Sequence, residues 1–293
     1  MRSIAYLFFT VICWGLNFHF AKQMLTEASF VEAGFWRYVF GVGILLLISI
    51  KNLPKPNLFF LEPKGLLLVG AIGLFGFNIL FFLGMLYTSP INASLIVALN
   101  PAMTLIFSFF ILKTAITKNE VFGMIISFFG VVFLLSQGDF NKLLQLAFSK
   151  GDILMFIAIT VFALHNIWVK KFAPAFSNIH FTIFTNIICL LGFLCILPFA
   201  IPMISVHHEP NFWWSAIGIG SFGTGLAYLA WNKGVDLIGA SKASIFMNFV
   251  PLTAGIAGLF FGEQIYSYHY WSGLIIITGI IITQSKNFLT PPK

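Results

Sequence analysis

Long apolar stretches, separated by short breaks rich in charged and turn-forming residues, dominate the pattern of this chain. Each stretch is close to the length of about 20 residues that a helix needs to cross the hydrocarbon core of a bilayer. We predict ten such segments: 4–22, 30–50, 65–87, 91–112, 119–136, 152–171, 178–203, 212–233, 240–262 and 268–286. Helices are expected because backbone polar groups in lipid must pair within their own segment. The pattern therefore predicts an all-α integral membrane protein with ten transmembrane helices.

Composition supports a membrane protein and removes two other classes. Only 9% of the residues are charged, whereas a soluble domain carries about 25%. The net charge of +7 would suggest nucleic acid in a soluble protein, but here the lysines lie in short loops, so no nucleic-acid partner is expected. Cys13, Cys189 and Cys195 lie inside apolar segments and are expected to be small core residues, with no metal or disulfide framework.

The basic residues predict an orientation. With the N-terminus in the cytoplasm, the cytoplasmic side receives Arg2, Lys51, Lys55, Lys64, Lys113, Lys118, Lys170, Lys171, Lys233, Lys242, Lys286 and Lys293. Only Lys22, Lys142 and Lys150 fall outside. Because Lys and Arg are enriched in cytoplasmic loops, a multi-pass protein with both termini in the cytoplasm is expected.

Two internal similarities indicate a repeat. An Ala-Ser pair is followed by Pro seven residues after the Ser in both "INASLIVALNP" (91–101) and "GASKASIFMNFVP" (239–251). Asn17 precedes Lys22 by five residues, as Asn166 precedes Lys171. The predicted repeats are 1–138 and 149–288, with 137–152 at the outer interface. Five spans in each half force the second repeat to enter the membrane from the opposite side, as in the inverted repeats of secondary transporters.

A glycine pattern suggests a competing function. Gly218, Gly220 and Gly223 match the G-x-G-x-x-G fingerprint of dinucleotide-binding folds, which requires a preceding strand and a helix N-terminus open to a pyrophosphate. Here the glycines lie in an apolar segment, and Gly73 and Gly76 occupy the matching place in the first half. Small residues on membrane helices allow close packing, so we expect no cofactor.

The second half resembles the EamA family of the drug/metabolite transporter superfamily through "GTGLAYLAWNKGVDLIGASKASIFMNFVPLTAGIAGLFFGEQI" (223–265) and "YWSGLIIITGIII" (270–282). The first half resembles it through "CWGLNFHFAKQ" (13–23), "FWRY" (35–38) and "LYTSPINASLIVALNPAMTLIFSFFILK" (86–113). The resemblance implies ten helices, location in the bacterial inner membrane, and export or import of small metabolites such as amino acids, sugars or nucleotide-like solutes. One departure is that Lys113 stands where the second half has Glu263, although family members often carry Glu at both places.

Polar side chains within spans are costly in lipid and are therefore candidates for a solute site. Aromatic walls with a few polar groups are typical of small-molecule pockets. The candidate substrate-binding residues are Trp14, Asn17, Asn78, Phe82, Asn166, Tyr228, Trp231, Ser244 and Asn248. The alternatives are hydrogen bonds between helices for the asparagines and an interfacial aromatic belt for Trp231.

Five further residues in the spans have competing interpretations. Pro101 and Pro251 occupy equivalent places and predict helix kinks, either at a binding region or as simple packing features. Arg37 could bind a substrate carboxylate, but a structural role near the outer end, within snorkelling reach of water, is favoured. His19 and His165 could relay a proton, although neither has an acidic partner at helical spacing.

The sequence therefore predicts a secondary transporter, with export by alternating access as the expected mode. The alternatives are a membrane-embedded enzyme and a passive channel. No Ser-His-Asp arrangement, H-E-x-x-H or phosphate-binding loop supports an enzyme or ATP drive. The expected partners are a small solute and the lipid bilayer. Substrate, direction, coupling ion and oligomeric state stay open, with a monomer as the expectation.

Overall fold

The computed structural model describes residues 2–113, 117–139, 149–203 and 207–284, and every regular element in those ranges is helical. The first half contains α1 (Arg2–Met24), α2 (Phe30–Ile48), a 3₁₀ turn (Pro56–Leu61), α3 (Pro63–Leu67), a first π segment (Leu68–Gly76), α4 (Phe77–Tyr87), α5 (Pro90–Val97), α6 (Asn100–Leu112) and α7 (Lys118–Leu135).

The second half contains α8 (Lys150–Phe172), a 3₁₀ turn (Ala173–Ala175), α9 (Asn178–Ile196), a 3₁₀ turn (Leu197–Met203) and α10 (Pro210–Ile217). A second π segment (Gly218–Leu226), α11 (Ala227–Ile238), α12 (Ala240–Ser244), a 3₁₀ turn (Ile245–Phe249), α13 (Val250–Phe260) and α14 (Ser267–Gln284) follow. The segment expected at the outer interface is described only at its two ends, because residues 140–148 lie outside the described residues, as do Lys286 and Lys293.

Seven helical stretches of the described chain are long and apolar enough to cross a membrane: Ser3–Met24, Phe30–Ile48, Pro63–Tyr87, Pro90–Leu112, Lys150–Ala175, Asn178–Ala200 and Ala240–Phe260. The sequence predicted three more spans, at 119–136, 212–233 and 268–286. Each of these is helical, as α7, as α10 with the second π segment and α11, and as α14. The expectation of a multi-pass, all-helical membrane fold is confirmed.

Four of the helices are capped by a serine that immediately precedes their first residue. Each accepts a hydrogen bond from a backbone N–H in the first turn: Ser29 from Glu32, Ser89 from Asn92, Ser149 from Gly151 and Ser177 from His180. Such caps satisfy N–H groups that have no partner within the helix. Two of the helix starts, those of α2 and α9, occupy matching places in the two halves.

The predicted spans 91–112 and 240–262 are each interrupted. Pro101 lies in the first turn of α6, after a break at Ala98 and Leu99, and Pro251 lies in the first turn of α13, after the 3₁₀ turn Ile245–Phe249. Proline has no N–H to donate and clashes with the preceding helical turn, so it is tolerated where a new helix begins. A single continuous helix at either place is therefore the wrong description.

Four pairs of matching elements in the two halves have equal lengths. The helices α1 and α8 have 23 residues each, α2 and α9 have 19, α7 and α14 have 18, and both π segments have nine. Their packing is also reciprocal: α2 contacts the second π segment while α9 contacts the first, α1 contacts α11 while α8 contacts α4, and α1 contacts α13 while α8 contacts α6. The helices α1 and α8 are thus central to both sets of contacts.

Several polar side chains lie inside the bundle, and many large apolar side chains are exposed on its surface. Asn17, Asn78 and Asn166 are buried, whereas Phe110 is 70% exposed and Phe260 is 86% exposed. This arrangement suits a protein surrounded by lipid, where the exterior is apolar and polar groups must find partners within the protein.

The helix ends gather on two sides of the molecule. The first, the Ser108 end, is defined by the contacts of Ser108 with Ser241, Lys170 with Asp236 and His180 with Asn52. The second, the Lys22 end, is defined by the contacts of Lys22 with Thr88, Thr88 with Asp152 and His208 with Glu32.

Candidate functional site

Four aromatic side chains form a cluster at the centre of the bundle. The Trp14 ring of α1 lies 5.4 Å from Phe162 of α8, 5.5 Å from Tyr228 and 4.9 Å from Trp231 of α11, measured between ring centroids. All four side chains are buried. The burial of Trp231 excludes the interfacial-belt interpretation of that residue. The cluster brings together three of the predicted site residues.

A chain of hydrogen bonds joins this cluster to α8 and α6. Trp231 Nε1 donates to Asn166 Oδ1 at 3.0 Å, and Asn166 Nδ2 donates to Asn100 Oδ1 at 3.1 Å. Asn100 Nδ2 in turn donates to the Ile159 carbonyl at 3.3 Å. Asn100, next to Pro101 at the start of α6, was missed in the sequence; the visible signal was an Asn-Pro pair inside an apolar segment. Asn166 thus links three helices.

The glycines of the second π segment allow α1 to approach closely. Trp14 Nε1 and Asn17 Nδ2 both donate to the Gly223 carbonyl, at 3.0 and 3.3 Å. A Cβ atom on Gly223 would collide with the Asn17 amide, and one on Gly220 would lie 2.5 Å from Phe40 Cβ. The glycine pattern therefore serves contacts between helices, as small residues do in membrane proteins.

A small central cavity of about 30 Å³ lies beside the aromatic cluster. Its lining includes Trp14, Asn17, Arg37, Phe81, Phe162 and Tyr228. A space of this size holds about one water molecule. A larger solute would require the surrounding side chains or helices to move.

Arg37, for which the sequence favoured a structural role, is a functional candidate in the folded chain. Its side chain is only 2% exposed, so the expectation that it snorkels to water is wrong. Nε donates to Thr224 Oγ1 at 2.7 Å, and the guanidinium carbon lies 5.5 Å from the centroid of Phe81 and 5.9 Å from that of Phe82. The signal was present as the one arginine within a predicted span.

The other predicted site residues lie at varying distance from this cavity. Asn78 donates to the Tyr38 hydroxyl at 2.7 Å and to the Leu74 carbonyl, and Phe82 reaches the site through Arg37. Ser244 donates to the Ser241 carbonyl within its own turn, and neither Ser244 nor Asn248 lines the central cavity. Met247 and Val250, from the same segment, line it instead.

A pocket of about 630 Å³ lies at the Lys22 end, between elements of both halves. Its polar lining includes His19, Lys22, Thr88, Asn92, Asp152 and Glu263. Lys22 Nζ donates to the Met85 and Thr88 carbonyls, at 2.8 and 3.1 Å, and Thr88 Oγ1 donates to Asp152 Oδ1 at 2.6 Å. Adjacent residues of α1 line the two spaces, Phe18 the central cavity and His19 this pocket.

The Ser108 end is held together by contacts between helices, and the first of these contacts also joins the two halves. Ser108 Oγ of α6 lies 3.4 Å from Ser241 Oγ of α12. Lys170 Nζ donates to the Asp236 carbonyl at 3.1 Å, and Asn178 Nδ2 donates to the Leu229 carbonyl at 2.8 Å. The central cavity thus lies between the open pocket at the Lys22 end and the packed helix termini at the Ser108 end.

Neither histidine proposed for proton relay has a carboxylate contact in the described chain. His19 Nε2 lies 2.8 Å from the Ala254 carbonyl, and its ring stacks on Phe261. His165 stacks on Phe162 with a centroid distance of 5.1 Å and packs beside Gly73. Among the described residues, no group of three His, Cys, Asp or Glu side chains is placed to hold a metal.

Glu263 is the acid whose protonation is most altered by this pocket. Burial raises its pKa from 4.5 to about 7, against the opposing attraction of Lys22 and a backbone hydrogen bond at Ile91. The carboxyl group is therefore expected to exchange protons near neutral pH.

This shift predicts a pH dependence of stability. Because the pKa is higher in the folded chain than in the unfolded one, the free energy of unfolding falls as the pH rises from about 4.5 through 7. The glutamine in Glu263→Gln cannot ionise, so this variant is expected to lose the decline in the free energy of unfolding. That decline is about 1 kcal/mol after solvent screening is allowed for.

The measurement is the thermal unfolding midpoint of the purified protein at pH 5 and pH 8. The exposed Glu209→Gln serves as the control and keeps the wild-type difference between the two pH values. An unchanged difference in Glu263→Gln would contradict the assignment.

Comparisons with known proteins agree on one family. The model of the EamA-like transporter family matches residues 1–136 and 149–284. The uncharacterized transporter YyaM of Bacillus subtilis (strain 168) is 32% identical over 270 residues, which cover 91% of this chain and 88% of that protein. The uncharacterized inner membrane transporter YhbE of Escherichia coli (strain K12) is 31% identical over 144 residues, which cover 48% of this chain and 43% of that protein.

A crystal structure of another protein has a similar fold. It superposes with a TM-score of 0.72 at 16% sequence identity and covers 97% of this chain and 98% of that one. At this identity the likeness concerns the fold alone. The names of the relatives describe transporters rather than enzymes.

Proposed function

We propose, from the premise that this chain belongs to the EamA-like transporter family, that it is a secondary transporter of small metabolites that works by alternating access, with export as the direction. The observation that carries the proposal is the central cavity between the halves. It is lined by α1, α2, α4 and α5 of the first half and by α8, α11 and α13 of the second. A polar pocket lies toward one end and packed helix termini lie at the other.

The proposed architecture is ten transmembrane helices in two inverted five-helix repeats, 1–138 and 149–288. The equal lengths of four pairs of matching elements and their reciprocal packing support it. Inverted repeats place the solute path at their interface near the bilayer midplane, with broken helices beside it. Pro101 and Pro251 stand at the two helix interruptions and fit this role.

The proposed solute site is the central cavity with its surrounding cluster. Trp14, Phe162, Tyr228 and Trp231 would supply apolar walls, and Asn17 and Asn166 would supply donors and acceptors. Asn78 and Phe82 would contribute indirectly, Phe82 through its contact with Arg37 and Asn78 through its hydrogen bond to Tyr38. Ser244 and Asn248 would line the path toward the Ser108 end.

The direct test compares metabolites inside and outside cells with and without the gene, followed by uptake of the responding solute into vesicles that contain the purified protein. A solute that accumulates in the medium only when the gene is present, and enters the vesicles only with the protein, is the expected result. Equal metabolite levels in both strains and no uptake by the vesicles would contradict transport.

For localisation we propose the inner membrane with both termini in the cytoplasm. The printed name of the Escherichia coli relative places that protein in the inner membrane, and the bias of basic residues supports the orientation. In this arrangement the Lys22 end faces outward.

The orientation predicts opposite labelling of two exposed positions. In a variant without the native cysteines, Lys51→Cys is expected to react only with reagents that reach the cytoplasm, because it lies at the Ser108 end. Glu209→Cys, at the Lys22 end, is expected to react with an impermeant thiol reagent on intact cells. Labelling of both positions from the same side would overturn the proposed topology.

A further inference from the structure

Arg37 carries a buried positive charge that has no acidic partner in the part of the chain that the structure describes. Within the described ranges, no carboxylate lies within ion-pair distance of its guanidinium, and the one protein hydrogen bond it makes there is from Nε to Thr224 Oγ1. Phe81 and Phe82 face the guanidinium carbon and offer only their ring electrons. A charge removed from water is costly unless it is paired, so this arrangement is incomplete as it stands.

The nearest acid along α2 is already engaged. Glu32, in the first turn of α2, accepts a hydrogen bond from His208 Nε2 at 2.8 Å, and His208 also approaches Glu27. These three residues belong to the Lys22 end of the molecule. The counter-charge for Arg37 therefore has to come from something other than the described acids.

The space for a counter-charge lies next to Arg37. Arg37 lines the central cavity, whose volume of about 30 Å³ holds about one water molecule, so a carboxylate enters only as the surrounding side chains move apart. Asn17 lines the same cavity, and its Oδ1 atom has no hydrogen-bond partner in the described chain. Two residues of the cavity lining therefore have unused capacity: Arg37 has fork-shaped donors, and Asn17 has an acceptor, packed against Gly223, that lacks a hydrogen bond.

We propose that Arg37 is the anchor for a carboxylate group of the transported solute, with Asn17 Oδ1 accepting a hydrogen bond from a donor close to that carboxylate. This inference rests on the proposed function, since it takes the central cavity as the solute site. The solute class is a small carboxylic acid with a neighbouring hydroxyl or amino group and an apolar remainder. That remainder packs against Phe81, Phe162 and Tyr228 once they move apart.

The test measures binding to the purified protein in detergent by tryptophan fluorescence, since Trp14 borders the cavity. The probes are lactate and 2-hydroxy-3-phenylpropanoate, each compared with its neutral primary amide, which has nearly the same size. Hydrogen bonds to a charged group are worth enough to favour the acid over the amide by about 10- to 100-fold. An amide that binds the wild type as tightly as its acid overturns the proposal, as does a wild type that binds neither acid.

Arg37→Gln is expected to reduce the preference for the acid to about twofold or less, and Arg37→Lys is expected to retain part of it. Lys233→Gln is the matched control, because it removes a partly exposed positive charge that does not line the cavity, and it is expected to keep the full preference. Unfolding midpoints show whether each variant is folded. If Arg37→Gln does not fold, the comparison of acid and amide in the wild type, with Arg37→Lys, still decides the matter.

The outcomes separate this inference from the proposed function. If acids are preferred through Arg37 but are not taken up into vesicles, the proposed binding site stands and the proposed transport function does not. If a neutral solute is taken up equally by the wild type and by Arg37→Gln, the proposed transport function stands and the role assigned to Arg37 does not.

Discussion

Trp231→Ala is expected to abolish most solute uptake into vesicles. The Trp231 side chain is fully buried, lies 4.9 Å from the Trp14 ring and donates to Asn166 Oδ1 at 3.0 Å. The substitution removes a wall of the cluster and leaves a buried acceptor without its donor. Loss of a buried Trp side chain costs about 3–5 kcal/mol of stability, so part of the effect is expected as lower abundance.

Trp231→Phe separates these two effects. The phenyl ring keeps much of the wall, while the N–H that reaches Asn166 is lost. An unsatisfied buried acceptor costs about 1–3 kcal/mol, which corresponds to roughly a 5- to 150-fold change in an equilibrium constant. Asn17→Ala removes one hydrogen bond and is expected to have a smaller effect than Trp231→Ala.

Uptake is measured per amount of folded protein in the vesicles. Trp214→Ala is the matched control, because Trp214 is 71% exposed on α10 and is expected to leave uptake unchanged. Normal uptake by both Trp231 variants, at normal protein levels, would place the solute site elsewhere.

The helix positions could be predicted from the sequence because apolar length alone marks a span. The ends of α2 and α9, for example, follow from a serine cap and the next polar break. The interruptions before Pro101 and Pro251 could be anticipated, since proline cannot continue a helix at those places. The two π segments could not, because a change of helical pitch is decided by packing, such as that of Gly223 against Asn17.

The site was only partly predictable for a related reason. Trp14, Asn17 and Tyr228, which line the central cavity, could be named as candidates because side chains with a polar group stand out within apolar spans. The burial of Arg37 could not be predicted, because the residue is close enough to the end of α2 for its charge to reach water by snorkelling. Its partners Thr224 and Phe81 belong to other helices, so only the folded arrangement brings them to it.

The second large effect concerns the closed Ser108 end. In alternating access the two ends open in turn, so the contact between Ser108 and Ser241 has to separate in every cycle. A disulfide between Ser108→Cys and Ser241→Cys, in a chain whose Cys13, Cys189 and Cys195 are replaced by alanine, would hold that end closed. The serine Oγ atoms lie 3.4 Å apart, close enough for the bond to form with a small adjustment.

We expect oxidation of the double variant to reduce uptake to the level of empty vesicles, and a reducing agent to restore it. Each single variant controls for oxidation itself, since neither can form the bond. Binding of 2-hydroxy-3-phenylpropanoate from the Lys22 end is expected to persist in the oxidised protein, because the pocket of about 630 Å³ lies at that end. Full uptake by the cross-linked protein would mean that solute crosses without separation of α6 from α12, and alternating access would have to be abandoned.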